Sequence, residues 1–281
     1  MTQSANSNFD AIIAGGGLIG LSIGYGLSRL GLSVLLLDAE DNAIRAARGN
    51  FGLVWVQGKG AYFPSYADWT MRSSNLWPNL ADELQDIDGP KLGLHQNGGL
   101  SICLSEAEMQ QRFDKLEHLR VHQNGRFHFE MLDRAAVKEI MPGIGPRVAG
   151  AAYCAHDGHV NPLYLMRALQ TGLIRNGGVC LSNSPVSDIR KNGSTINVST
   201  PKDNFECQRL VLAAGLANAG LAPMVGLEQS VTPQKGQIVI TEKLDQQLPL
   251  PTLLLRQTDE GGLMIGDSHE DCGFDTSVSP T

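Results

Sequence analysis

The chain of 281 residues carries 22 Lys plus Arg against 29 Asp plus Glu, a net charge of −7, with 42% hydrophobic and 18% charged residues. That composition excludes a disordered, collagenous or disulfide-stapled chain, and the negative balance offers no footprint for a phosphate backbone, so no nucleic-acid partner is expected. Glycine is the outlier at 32 residues, and is expected where backbone must approach a ligand closely.

Residues 1–10 are polar and lack the basic and apolar segments of a signal peptide, so none is read there. Residues 9–14 are an apolar run long enough for a buried parallel strand, and they lead into Gly15, Gly16 and Gly17. From Leu18 the period becomes helical, with Ile19, Ile23, Leu27 and Leu30 on the repeat and Gly31 where a left-handed C-cap belongs. A second strand over 34–37 ends at Asp38, which completes a βαβ beginning. Residues 42–66, rich in Gly, Arg and aromatic side chains, read as a ligand-wrapping loop, and a helix is expected from about Tyr66 to Leu84.

A strand follows over 98–104, and Ser105 with Glu108 forms a capping box that opens a helix toward Arg120. Asp133 starts a short helix that Pro142 stops. Asn161 is a good N-cap and Pro162 a good first helical residue, with Leu165, Leu169 and Leu173 on one face and Gly177-Gly178 at the end, before a strand over 179–181. Asn192-Gly193, between strands 187–191 and 195–200, is a type I′ hairpin signal. Residues 210–227 carry no charge, but Gly215, Asn218 and Pro223 interrupt them, so they read as a buried strand, a loop and a short helix rather than a membrane span. The segments 236–241, 253–257 and 263–266 read as antiparallel sheet.

The chemistry concentrates at the start. Gly15-x-Gly17-x-x-Gly20 follows a strand and opens a helix, the context a dinucleotide site requires. Gly15 lets the chain turn sharply, Gly17 lets a pyrophosphate reach backbone N–H groups, and Gly20 lets helix and strand pack closely. Asp38, 18 residues beyond Gly20, stands where a carboxylate would accept from a ribose hydroxyl and repel a 2′-phosphate. An NAD enzyme would continue with further βα units, whereas here Arg48-Gly49-Asn50-Phe51-Gly52 follows, which favours FAD.

These residues, with Asn161-Pro162, Leu212-Ala213-Ala214-Gly215 and Pro233-x-Lys235-Gly236-Gln237, resemble the D-amino-acid oxidase-like flavoproteins, a group that includes glycine oxidases and amino-acid dehydrogenases. Residues 49–55, with Arg256-Gln257-Thr258 and Gly266-Asp267-Ser268, look most like the flavin-bearing subunits of opine oxidases, hydroxyproline dehydrogenases and hydrogen cyanide synthase. The fold expected is α/β, a Rossmann-like FAD-binding domain built from discontinuous segments (1–84 and 145–222) and interleaved with a mainly antiparallel substrate domain (85–144 and 223–281). The cofactor-binding set expected is Gly15, Gly17, Leu18, Ile19, Gly20, Asp38, Ala39, Arg48, Gly49, Asn50, Gly52, Leu53, Val186, Ala214 and Gly215.

The resemblance implies FAD-dependent oxidation of an amine or amino acid, with the α-hydrogen passing as hydride to the flavin and water hydrolysing the imine. Relatives of this kind continue past residue 281 with an Arg-Pro strand facing the substrate carboxylate and a late Gly-rich segment near a His, so the chain is expected to be a fragment. Two other readings stand beside the enzyme: a non-catalytic nucleotide-binding or structural fragment, and an NAD-dependent dehydrogenase. A multi-subunit dehydrogenase is implied over a homo-oligomeric oxidase that uses oxygen. Cys103, Cys154, Cys180, Cys207 and Cys272 are dispersed, so an Fe–S partner subunit or a membrane quinone would take the electrons onward. The odd, dispersed cysteine count also suits a reducing compartment, and a cytoplasmic location is expected.

Remaining candidates are weaker. No H-E-x-x-H motif or paired spacing is read among the seven histidines, and no metal centre is expected. His156-Asp157-Gly158-His159 reads as a turn and Asp267-Ser268-His269-Glu270-Asp271 as a solvated loop. Arg256 is a candidate partner for an anionic substrate, or else an exposed strand arginine.

Overall fold

The computed structural model describes residues 7–40, 46–85, 87, 91–266 and 268–279. Residues 1–6 of the polar start, 42–45 of the ligand-wrapping loop and Asp267 lie outside them. In chain order, β1 (Asn8–Ala14), α1 (Leu18–Arg29) and β2 (Val34–Leu37) form the expected βαβ unit. Gly31 follows the helix at φ +79°, a left-handed conformation that closes it without Cβ strain. The two-residue β3 (Leu53–Val54) lies inside the loop, before α2 (Pro64–Gln85). Pro78 sits inside α2 and removes the N–H that would pair with the Ser74 carbonyl. Gln96 Nε2 donates to that carbonyl instead, at 3.0 Å.

Next come β4 (Gly99–Cys103), α3 (Glu106–His122), β5 (Glu130–Asp133), α4 (Arg134–Ile140), β6 (Gly150–Cys154) and β7 (Gly158–His159). Both expected N-caps form: Glu108 N–H donates to Ser105 Oγ at 3.2 Å and Ala136 N–H to Asp133 Oδ1 at 2.8 Å. The helix α5 (Pro162–Arg175) is capped by Asn161 Oδ1, which accepts from Leu163 N–H at 3.0 Å, and leads to β8 (Val179–Leu181). The hairpin of β9 (Asp188–Asn192) and β10 (Thr195–Ser199) differs from expectation in its turn. Register pairs Asn192 with Thr195, so the loop is Gly193-Ser194, and only Gly193 has positive φ, at +60°. This is a type II′ arrangement rather than type I′, because Asn192 is held in the ladder.

The chain closes with β11 (Asn204–Leu212), the short α6 (Asn218–Leu221), β12 (Val239–Lys243), β13 (Leu255–Gln257) and β14 (Gly262–Ile265). The uncharged stretch 210–227 therefore ends a strand and continues as short helical turns, and no helix among the described residues is long and apolar enough to cross a membrane.

The main sheet has the order β8-β2-β1-β11-β10-β9, parallel from β8 to β11 and antiparallel beyond. Its central strands are buried on both faces, which explains why they read as continuous apolar runs. Ile13, Val34 and Leu36 pack beneath α1 and α5 with Leu21, Tyr25, Leu169 and Leu173, whereas Ile12, Leu35 and Leu37 face Val198, Phe205 and Cys207. The described residues form three smaller sheets besides: β4-β6-β5, β12-β14-β13 and β3-β7. Because β6 pairs with β4 and β5, a division of the chain at 145 falls between strands of one sheet.

Candidate functional site: a glycine-rich turn and the loop that faces it

The carboxyl ends of β1, β2 and β11 converge on the first βα turn. Gly15 adopts φ +113°, and a Cβ there would stand 2.4 Å from the Ala213 carbonyl oxygen. The late segment Ala213-Ala214-Gly215 is thereby brought against the fingerprint, and Ala214 N–H donates to Asn218 Oδ1 at 3.1 Å. At Gly20 a Cβ would lie 1.9 Å from the Gly15 carbonyl oxygen, so the helix approaches the turn as closely as backbone permits. Gly17 differs from both. Among the described residues a Cβ there would meet only Ala47 Cβ, at 3.7 Å, so none of their atoms needs that space. Gly17 is also the N-cap of α1 and offers no side-chain acceptor, and the first turn holds no acidic residue. The N–H groups and positive end of α1 therefore face open space that suits a diphosphate.

An open cleft of about 240 Å³ lies alongside, lined by Gly16, Asp38, Arg48, Arg167, Gln170 and Ser182 among others. Asp38 anchors the end of β2 through its main chain, with its N–H donating to Leu181 at 2.8 Å and its carbonyl accepting from Ser184 N–H at 2.8 Å. Its carboxylate packs so close to Gly16 that a Cβ would lie 2.7 Å from Oδ2. Ala39 follows it, exposed; Leu18 is half-buried and Ile19 exposed on the first turn of α1. Val186 is half-buried among Ile196 and Leu210 and does not line this cleft. The sequence reading missed Arg167 and Gln170. Their signal was a helical stripe with Leu163 on α5, opposite the Leu165, Leu169 and Leu173 face.

The loop from Arg48 is shaped by its own residues. Asn50 Oδ1 accepts from Gly52 N–H at 2.6 Å, and Gly52 has φ +82° with a Cβ position 2.3 Å from the Val160 carbonyl oxygen. Arg48, Gly49 and Asn50 are exposed, whereas Leu53 enters β3 and pairs with His159 of β7. Arg256 reaches this loop from β13 and is not the exposed strand arginine that was one of two expectations, being 3% exposed. Its Nε donates to the Phe51 carbonyl and its Nη1 faces His159 Nδ1 at 3.3 Å. A guanidinium only donates, so Nδ1 accepts and the ring is neutral. Burial, then the nearby Arg256 and His95, push His159 down to about 4. Nη2 makes no hydrogen bond among the described residues.

Behind β3, Asp157 is a fully buried carboxylate rather than a simple turn residue. It accepts from Val56 N–H at 2.6 Å and from Gln57 Nε2 at 2.8 Å. Burial pushes its carboxyl up to about 7, against the pull of those donors and of Lys59. A folded-state value above the unfolded one means that this group's contribution to stability is fully present below 3.8 and is lost as pH rises from there to about 7, at about 1.4 kcal/mol per pH unit. Denaturation of wild type and Asp157→Asn across this range should show a decline that the variant lacks. Parallel curves would refute the assignment.

A parallel sheet with a glycine-rich turn beneath an uncapped helix and an acidic residue closing the second strand defines a dinucleotide-binding protein. The chain belongs to the FAD dependent oxidoreductase family (DAO), whose model matches residues 10–281. It is 44% identical over 272 residues to a subunit of the opine oxidase of Agrobacterium tumefaciens (strain Ach5), covering 96% of this chain and 73% of that one. It is 28% identical to the HcnC subunit of hydrogen cyanide synthase from Pseudomonas protegens, over 97% of this chain and 74% of the relative. The crystal structure of glycine oxidase from Geobacillus kaustophilus superposes with a TM-score of 0.90 at 26% identity, covering 98% of this chain and 75% of that one. The α/β expectation and the FAD expectation both hold, and the nicotinamide alternative falls away.

Proposed function

We propose that the protein oxidises the C–N bond of an amine or amino acid, with opines, as secondary amines bearing carboxylates, the favoured substrates. The observation that carries this reading is the open, uncapped start of α1 over Gly15, Gly17 and Gly20 in a chain 44% identical to a subunit of an opine oxidase. When bound, FAD supplies a two-electron acceptor for the α-hydrogen and its bonding electrons. The protein's own groups supply binding and orientation. The N–H groups of the first turn of α1 would hold the diphosphate, Asp38 would accept from a ribose hydroxyl, and the loop of Arg48, Gly49, Asn50 and Gly52 would contribute further contacts to the cofactor. Leu18, Ile19, Ala39, Leu53, Val186, Ala214 and Gly215 complete the surface proposed to hold it. Arg256 Nη2 offers a charge-assisted bond to a substrate carboxylate, fixing which hydrogen is presented.

A groove of about 260 Å³ between β3 and α2 is lined by Trp55, Tyr66, Trp69 and Trp77, with Thr70, Ser73 and Ser74 among its polar residues. Electron transfer to an Fe–S partner subunit, or to a membrane quinone, fits the relatives named as subunits. Five free, dispersed cysteines supply no relay of their own and agree with a cytoplasmic setting. Anaerobic mixing of the FAD-loaded full-length subunit with amino acids and opines should bleach the flavin band, and an artificial dye should then be reduced without stoichiometric peroxide. Absence of bleaching with every amine would overturn the reading, and stoichiometric peroxide would replace the dehydrogenase with an oxidase.

A further inference from the structure

One histidine spacing escaped the sequence reading. His118 and His122 stand four residues apart on α3, on successive turns of one face, and their Nε2 atoms lie 3.0 Å from each other. His118 Nδ1 is 2.8 Å from the Ala61 carbonyl oxygen. A carbonyl only accepts, so Nδ1 carries the proton and His118 Nε2 keeps its lone pair. That bond to Ala61 also fixes the ring, in the manner of the outer partners that orient metal-ligating histidines. The Tyr62 ring packs 5.1 Å from the His118 ring, the two histidine rings are 4.1 Å apart, and His122 is exposed to solvent.

We propose that His118 and His122 form a two-imidazole chelate for a divalent transition metal of tetragonal or octahedral preference, such as Cu²⁺ or Ni²⁺. The spacing accommodates that geometry. Two nitrogens bound at about 2.1 Å are about 3.0 Å apart at a right angle and about 3.4 Å apart at a tetrahedral one, so the observed separation matches adjacent equatorial positions. In the metal-free protein His122 Nε2–H donates to His118. On binding, that proton moves to His122 Nδ1, both rings remain neutral, and both Nε2 lone pairs face the ion while water fills the other positions. Neither histidine lines the nucleotide cleft, so occupancy is independent of the cofactor site.

The test is titration of the FAD-loaded chain with CuCl₂ and NiCl₂ by calorimetry, with electron paramagnetic resonance of the Cu²⁺ complex. His122 is exposed, so His122→Ala does not put folding at stake; His128→Ala, exposed elsewhere, controls for adventitious imidazole binding. The expected result is a Cu²⁺ spectrum with two equatorial nitrogens, an affinity about tenfold or more weaker in His122→Ala, and no change in His128→Ala. Equal affinity in wild type and His122→Ala, or a spectrum that this substitution leaves unaltered, would overturn the proposal.

Discussion

Gly17→Val is expected to abolish FAD binding while leaving the fold intact. At φ −78° and ψ −177° position 17 is open to any residue, and among the described residues a Cβ meets only Ala47 at 3.7 Å, so they leave room for the side chain. The ligand does not, because the added methyl groups stand where the diphosphate must reach the N–H groups of α1. A loss of about 100-fold in affinity or more, about 2.8 kcal/mol, is expected. Gly20→Ala should behave in the opposite way. Its Cβ would fall 1.9 Å from the Gly15 carbonyl oxygen, a backbone atom that cannot swing aside, so the strand–helix junction must open. Overpacking of this kind costs about 1–3 kcal/mol or more. Urea denaturation together with flavin fluorescence separates the two. A Gly17→Val protein that retains flavin, or a Gly20→Ala protein as stable as wild type, would refute the geometry.

Arg256→Met should weaken FAD binding by about tenfold, about 1.4 kcal/mol, and destabilise the fold by about 1–3 kcal/mol. Methionine fills much of the buried volume but leaves the Phe51 carbonyl and His159 Nδ1 without their donor. Losing the burial cost of an unpaired guanidinium offsets part of this, which keeps the stability loss moderate. The loop from Arg48 to Gly52 loses the tie that spans it from β13, and cofactor affinity follows. Flavin affinity unchanged from wild type would show that the loop holds its shape without Arg256.

How much of this was legible in the sequence depended on distance along the chain. The β1-α1-β2 unit could be read because apolar runs, a change of period and three glycines all lie within 38 residues. α5 was equally plain from Asn161-Pro162, a local cap. The strands β5 and β6 were not read. β6 is Gly-Ala-Ala-Tyr-Cys, which opens with three small residues of low strand propensity and is held extended by β4 and β5 on either side. Within the site, the glycine turn was readable, but the burial of Arg256 depends on Phe51, 205 residues away, and that of Asp157 on Val56, 101 residues away. Neither contact leaves a periodic or local trace. Arg167 and Gln170 were hidden for a related reason, since polar residues on a helix look like a solvated face until the strand ends beside them are placed.

The central claim is that the turn of Gly15, Gly17 and Gly20, with Asp38 and the Asn50 loop, holds FAD. The absorption spectrum of the protein purified after reconstitution, compared with that of Gly17→Val treated identically, tests it most directly. A flavin band in the wild type that is absent from the variant is the expected result; a wild-type protein that retains NAD but never a flavin would contradict it.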